Sequence, residues 1–200
     1  MNMIQSIAKH TFTPLLKPLG FSTKGLVWNR RRGEFVDVIT LQKLCGSASE
    51  AQRLTVNIGV AAPELYQVIF EKARVTYIEA DCVVRVRPGE LEANNFGYAL
   101  DKSWSVNEQN VESCIEEISF FISDKAIPFV ESYNGYGALS CHLEKLEGWQ
   151  VKYPYIQILR AMMFWKLGDS IRCEEILSSK VASKWPEKVT NVRRWIQESS

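Results

Sequence analysis

Nucleophilic and acid-base chemistry needs a reactive side chain within hydrogen-bond reach of a base. This chain offers two histidines, His10 and His142, and five cysteines, Cys45, Cys82, Cys114, Cys141 and Cys173. Cys141 and His142 adjoin, but neighbouring helix positions point in different directions, so adjacency does not make them a pair. The cysteines are odd in number, widely spaced and without a C-x-x-C step, which suits neither a disulfide framework nor a zinc site. Each lies among apolar neighbours, where a free thiol packs as a small hydrophobe. No H-E-x-x-H, P-loop or G-x-G-x-x-G run occurs. Gly135 and Gly137 read as a linker. Glu79, Asp81, Glu90 and Glu92 read as loop carboxylates rather than a paired acid and base. No catalytic residue, metal ligand or cofactor is therefore expected.

Polar residues on strands form the more informative pattern. Gln42, Asn57, Arg85 and Arg87 occupy strand positions that alternate with apolar ones, so they could converge on one open sheet face, with Lys43, Trp28 or Trp104 near its edge. Arginine presents a planar fork to carboxylates or phosphates, and tryptophan adds a flat surface. The plain alternative is an ordinary solvated face with cross-strand pairs. The run Arg30-Arg31-Arg32 before Gly33 could touch phosphate backbones, or simply keep a hairpin edge soluble.

The elements that must position these groups follow from periodicity. Residues 2–19 carry a helical stripe that stops at Gly20, with Pro14 set to kink the helix or open a second one. Period two then predicts strands over Gly25–Arg31 and Glu34–Leu44, with a turn at Arg32-Gly33. The clearest strand is 53–61, with Leu54, Val56, Ile58 and Val60 on one side and Thr55, Asn57 and Gly59 on the other. Pro63 opens a short helix over Glu64–Phe70. Strands follow at Asp81–Arg87 and near Tyr98–Ser105. Ser105 and Glu108 have capping-box spacing and introduce a helix to about Lys125. Its stripe is Val111, Cys114, Ile115, Ile118, Phe121 and Ile122, and its glutamates suit a solvated face.

After Ser132-Tyr-Asn-Gly-Tyr-Gly137 the pattern is helical only: Ala138–Glu147, Pro154–Leu167, Ile171–Val181 and Pro186–Gln197. The stretch ILRAMMFWKLGDSIRCEEIL resembles one helix-turn-helix unit of the tetratricopeptide type, too short alone to make a solenoid. Clustered strands favour an α+β fold: a mainly antiparallel sheet with helices on one face, the other partly open, plus a C-terminal all-helical extension. The expected division is residues 1–131 and 138–200.

Composition bounds the function classes. The chain has 200 residues, 46% hydrophobic and 24% charged, with a formal net charge of +1. That balance gives no global field for nucleic acid or membrane surfaces, so a partner must read a local patch. No run approaches a membrane span and no signal-peptide pattern opens the chain, which points to the cytoplasm.

The segments LKPLGFSTKGLVWNR (16–30), VDVITLQK (36–43), LTVNIGV (54–60), CVVRVRPGEL (82–91) and DKSWSV (101–106) resemble, in that order, bacterial domain of unknown function 4304. Shared features are Leu-x-x-x-Gly-Phe-x-x-x-Gly, an aromatic-basic strand, Gln-Lys at a strand end, Asn-x-Gly, Arg-x-Arg and Lys-x-Trp. The resemblance covers about residues 5–130 and leaves out the helical tail. Pro88 between Arg87 and Gly89 departs from the pattern. The resemblance implies a bacterial cytoplasmic setting and an α+β fold, and carries no reaction or cofactor.

The leading expectation is a non-enzymatic protein-binding module, of an immunity or accessory type. One alternative is an enzyme or small-molecule binder for an anionic ligand held by Arg85 and Arg87, with Gln42, Asn57, Trp104 and Trp28 around it. A second is weak nucleic-acid binding through Arg30–Arg32, disfavoured by the near-neutral charge.

Overall fold

The computed structural model describes residues 3–44, 52–92, 102–148 and 150–199. In chain order the first elements are α1 (Met3–Ile7), α2 (Thr13–Leu16), β1 (Ser22–Lys24), β2 (Val27–Arg32), β3 (Phe35–Lys43) and β4 (Gln52–Ala61). Next come α3 (Pro63–Phe70), β5 (Val84–Val86), α4 (Pro88–Glu92), β6 (Trp104–Val106), α5 (Val111–Phe121) and α6 (Ile127–Ser132). The last four are α7 (Tyr136–Glu144), α8 (Pro154–Lys166), α9 (Ser170–Leu177) and α10 (Pro186–Glu198). They divide into two compact units: Met1–Ala61 with Thr76–Glu131, and Ala62–Val75 with Ser132–Ser200. The fold is α+β, with C-terminal helices. Helix α3, which periodicity alone leaves inside the strand-bearing stretch, packs against α10 in the second unit.

The first unit is built on a six-stranded antiparallel sheet ordered β1-β2-β3-β4-β5, with β6 also paired to β4. Strand β4 is long enough to take two short partners: its C-terminal half bonds to β5 and its N-terminal end to β6. The register places Trp28, Ile39, Leu41, Val56, Ile58, Val84 and Trp104 on one face. There Phe12 stacks on Trp28 with ring centroids 5.1 Å apart, and Phe121 packs on Trp104 at 5.8 Å.

Pro14 does not break the first helix, which runs from α1 through a π-turn into α2. A proline lacks an N–H, and its ring crowds the carbonyl four residues back. A π-turn at Ala8–Phe12 absorbs both effects: the Thr13 N–H reaches the Ala8 carbonyl, and Thr13 Oγ1 donates to the same oxygen at 3.0 Å. The device recurs before Pro128, where a π-turn at Ile122–Ala126 joins α5 to α6 and the Ile127 N–H bonds to the Ile122 carbonyl. The helix expected to end near Lys125 therefore runs on to Ser132. It also starts later than the Ser105–Glu108 spacing suggests. Ser105 lies in β6, and the turn ahead of α5 is held by Asn107 Oδ1, which accepts the N–H groups of Gln109 and Asn110.

The second sheet face is covered in its middle and open at Arg31 and Arg85, which are exposed. Val36, Val38, Thr55 and Asn57 on it are buried, as are Tyr77 and Cys82 of the segment that crosses it. Asn29 fixes that segment with two bonds to the Tyr77 backbone, donating to its carbonyl at 3.0 Å and accepting its N–H at 2.8 Å. Gly59 lets it approach: a Cβ there would stand 2.6 Å from Cys82 Sγ and 2.8 Å from the Val84 carbonyl oxygen. Strand β5 is shorter than expected because residues 79–81 form a 3-10 turn, with the Asp81 carboxylate accepting the Ile78 N–H. The proposed strand residues 98–101 lie outside the described residues.

Candidate functional site

The arginine run is divided by the strand period. Arg31 points outward and is exposed, whereas Arg30 and Arg32 turn to the core face beside Asp37 of β3. Asp37 is 0% exposed. Its Oδ2 accepts Arg30 Nε at 2.8 Å and Arg32 Nε at 2.7 Å, and its Oδ1 accepts Arg32 Nη2 at 2.8 Å. Arg32 Nη2 also donates to the Val130 carbonyl at 2.7 Å, and Arg30 Nη1 to Glu131 Oε1 at 3.0 Å. The Arg30 guanidinium lies 4.8 Å from the Phe21 ring centroid. Hydrogen bonding to Asp37 raises the Arg32 guanidinium above its ordinary value. Removing one member of a buried ion pair strands the other, at roughly 3–5 kcal/mol. This cluster fastens the β2–β3 hairpin to the end of α6, and a phosphate-binding patch of all three arginines is not formed.

The strand residues expected to converge do so only in part. Asn57 and Arg85 share a face, and Arg87 follows Arg85 at the same phase. Asn57 is buried, and its Nδ2 donates to Gln42 Oε1 at 2.7 Å, so these two amides satisfy each other. Arg85 and Arg87 are exposed, and the Arg87 N–H donates to Glu90 Oε2 at 2.6 Å at the start of α4. Trp104 and Trp28 belong to the opposite face by register and are buried at 4% and 1% exposure. A single pocket lined by Arg85, Arg87, Asn57 and Trp104 is therefore ruled out by pleat, and neither indole offers a face for stacking.

In the helical unit a lysine is held in a box of aromatic rings. The Lys166 ammonium sits 5.2 Å from the Tyr136 ring centroid and 5.4 Å from that of Trp195, and pairs with Glu64. Glu64 also accepts Tyr136 OH at 3.3 Å and Trp195 Nε1 at 3.2 Å. One carboxylate thus ties α3 to α7, α8 and α10. Nearby in sequence, Tyr133 OH lies 3.0 Å from His142 Nδ1. Burial, then the Lys145 charge, holds His142 below its ordinary value, and burial raises Tyr133. Cys141 is exposed and does not join this pair, whereas Cys82, Cys114 and Cys173 are buried thiols. Burial lifts Cys82 well above the usual thiol range and brings Cys173 to about 11. Among the described residues no three His, Cys, Asp or Glu side chains gather as metal ligands. No described helix is long and apolar enough to cross a membrane.

The feature that sequence reading missed is a row of rings. Tyr66, Phe70, Tyr155 and Trp185 follow one another with centroid separations of 4.7, 5.8 and 6.4 Å. Phe70 and Trp185 are more than a third exposed, and Tyr153 beside Tyr155 is 54% exposed. Cations ride on the row: Arg74 over Tyr66 at 5.3 Å and Lys188 over Phe70 at 5.9 Å. Within four positions of Phe70, Tyr155 and Trp185 the chain has five basic residues, Lys72, Arg74, Lys152, Lys184 and Lys188, against Glu71 and Glu187. Both glutamates are paired, Glu71 with Arg194 and Glu187 with Lys188. Lys72, Lys152 and Lys184 have no ion-pair partner among the described residues. A local signal was present: Tyr153, Tyr155 and Trp185 all flank a helix-opening proline, Pro154 or Pro186, where side chains stand clear of the helix stripe.

No curated protein and no solved structure matches the chain. A family model described as a domain of unknown function, DUF4304, matches residues 12–132. That match takes in the whole sheet and leaves α7 to α10 outside it. The chain belongs to the DUF4304 family, with a helical unit that draws α3 from the family region and its other helices from beyond it.

Proposed function

We propose that this chain is a non-enzymatic protein-binding module, working in a bacterial cytoplasm as an immunity-type or accessory factor, and that it docks an acidic partner on the aromatic row of its helical unit. The carrying observation is the coincidence of exposed Phe70, Tyr153 and Trp185 with unpaired Lys72, Lys152 and Lys184. Aromatic anchors in a dry centre with a charged rim are the usual energetic layout of a protein interface. Rim cations steer the encounter toward an acidic surface and make its rate salt-dependent. The small net charge of the whole chain supports a local reading patch over nonspecific polyanion binding.

The test is co-expression with the product of the gene immediately upstream, where an immunity factor would have its toxin. A stable complex should form, and Trp185→Ala should weaken it by about 2 kcal/mol or more. Joint reversal of Lys72, Lys152 and Lys184 to Glu should slow association and remove its salt dependence, with circular dichroism confirming the fold. Absence of a complex defeats the immunity reading. A complex indifferent to both variants defeats the aromatic row as its seat.

A further inference from the structure

The helical unit contains a cleft that neither the aromatic row nor the Lys166 box uses. Glu144 of α7, Arg160 and Phe164 of α8, and Arg172, Glu175 and Ile176 of α9 line a space of about 320 Å³. That volume falls at the small end of ligand pockets, the size for one compact metabolite.

Its charged walls are only partly paired with one another, through Arg172 and Glu144 at 3.9 Å. Arg160 Nε is buried and has no hydrogen-bond partner among the described residues. Neither Arg160 nor Glu175 has an ion-pair partner among them, so an unpaired cation and an unpaired anion line the same cleft without meeting. Arg172 is held only loosely. It lies over the Phe164 ring at 5.3 Å and approaches Asp169 and Glu144 at 3.7 and 3.9 Å. Both separations exceed hydrogen-bond length.

The charge pattern selects a ligand class. A simple anion would answer Arg160 and leave Glu144 and Glu175 facing it. A simple cation would have the reverse fault, and an apolar ligand would answer neither Arg160 nor Glu175. A small zwitterion answers both signs at once. We propose that this cleft binds a free α-amino acid with an apolar side chain. Its carboxylate takes the Arg160 fork, its ammonium meets Glu175, and its side chain rests against Ile176 and the Phe164 edge. A carboxylate on a guanidinium gains charge-assisted, two-bond geometry, which is what an unpaired Arg160 lacks.

Calorimetric titration of the intact chain with leucine tests this, alongside N-acetyl-leucine, leucine methyl ester and the dileucine dipeptide. Leucine should saturate the protein in the millimolar range. Each one-charge analogue should bind at least about tenfold more weakly, because each leaves one charged wall unanswered. Arg160→Gln and Glu175→Gln should each cost leucine at least about tenfold. Should Arg160→Gln fail to fold, the exposed Glu175→Gln variant decides the matter. Four results would overturn the assignment: no saturable leucine binding, N-acetyl-leucine binding as well as leucine, an unchanged affinity in Glu175→Gln, or dileucine binding more tightly than leucine. Failure here leaves the docking surface untouched, since the two share no residue.

Discussion

The sheet unit bonds most of its prominent polar side chains internally, whereas the helical unit bonds some, as at Glu64, and leaves others open. In the sheet unit most of the prominent ones bond internally: Arg30 and Arg32 to Asp37, Asn57 to Gln42, Asn29 to Tyr77, and Thr55 Oγ1 to the Lys102 carbonyl. Lys102 is itself spent on Glu92 and Glu117. Exceptions remain, since Thr40 Oγ1 and Trp104 Nε1 are buried with no hydrogen-bond partner among the described residues. In the helical unit, by contrast, Lys72, Lys152, Lys184, Arg160 and Glu175 are unpaired among the described residues, and Tyr153, Trp185 and Phe70 show open ring surface. A polar group already bonded inside the protein contributes stability and has little left for a ligand. The bonded groups of the sheet unit therefore hold its shape, and the proposed docking surface lies on the helical unit.

The largest expected effect would come from the most completely consumed group. Asp37→Ala leaves Arg30 and Arg32 facing each other without their carboxylate, and should cost the sheet unit roughly 3–5 kcal/mol in urea unfolding. Arg31→Ala, one position from both partners but exposed, should change stability by less than about 0.5 kcal/mol. Equal effects would break the claim that the strand period, rather than the charge run, decides what these arginines do.

A pair of glycine substitutions sharpens the contrast at smaller scale. Gly59→Ala places a methyl against Cys82 Sγ and the Val84 backbone, and should destabilise by about 1–3 kcal/mol. Gly137→Ala, in the first turn of α7 with nothing within 4 Å of the added carbon, should stabilise by about 0.4–1 kcal/mol through the unfolded chain. Thermal melts of the two variants should move in opposite directions.

How much of this was legible depends on range. The faces of β4 followed from alternation alone, because a central strand buried against helices must obey period two. The same rule, applied to residues 28–32, would have separated Arg30 and Arg32 from Arg31. The three read instead as a charge run, although Asp37 stood opposite Arg30 across a two-residue turn. Several motifs behind the family resemblance proved to be fold devices. Gly20 adopts φ +88° to stop the first helix, with the Phe21 N–H returning to the Leu16 carbonyl at 3.2 Å. Gly59 admits the crossing segment, and Lys102 covers Trp104 at 5.2 Å. What periodicity could not supply was anything joined across distance. The covering of the Asn57 face rests on Asn29 and Tyr77, which are far apart in sequence, and the aromatic row draws on residues from 66 to 185.

The smallest effect concerns the half-buried Tyr133–His142 pair. His142 is held below its ordinary 6.5 by burial and by Lys145. Above that pH the imidazole is neutral in both folded and unfolded chains and contributes no slope. As pH falls through about 6.5 the unfolded chain takes up its proton first, so folding loses stability on acidification. Glu174 acts in the same direction but lower. The Arg193 hydrogen bond, then that from Ser178, holds its carboxyl below the ordinary 4.5, so its stabilisation is lost only beneath that value. The helical unit should therefore show two separable acid limbs. Helix melting followed by circular dichroism between pH 7 and 5 should fall in the native chain and lie flat in His142→Asn. Below about pH 4.5 the two should fall together. A native curve already flat from pH 7 to 5 would show that His142 is protonated as freely in the fold as out of it. The Tyr133–His142 contact would then belong with the unspent groups of this unit rather than with its packing.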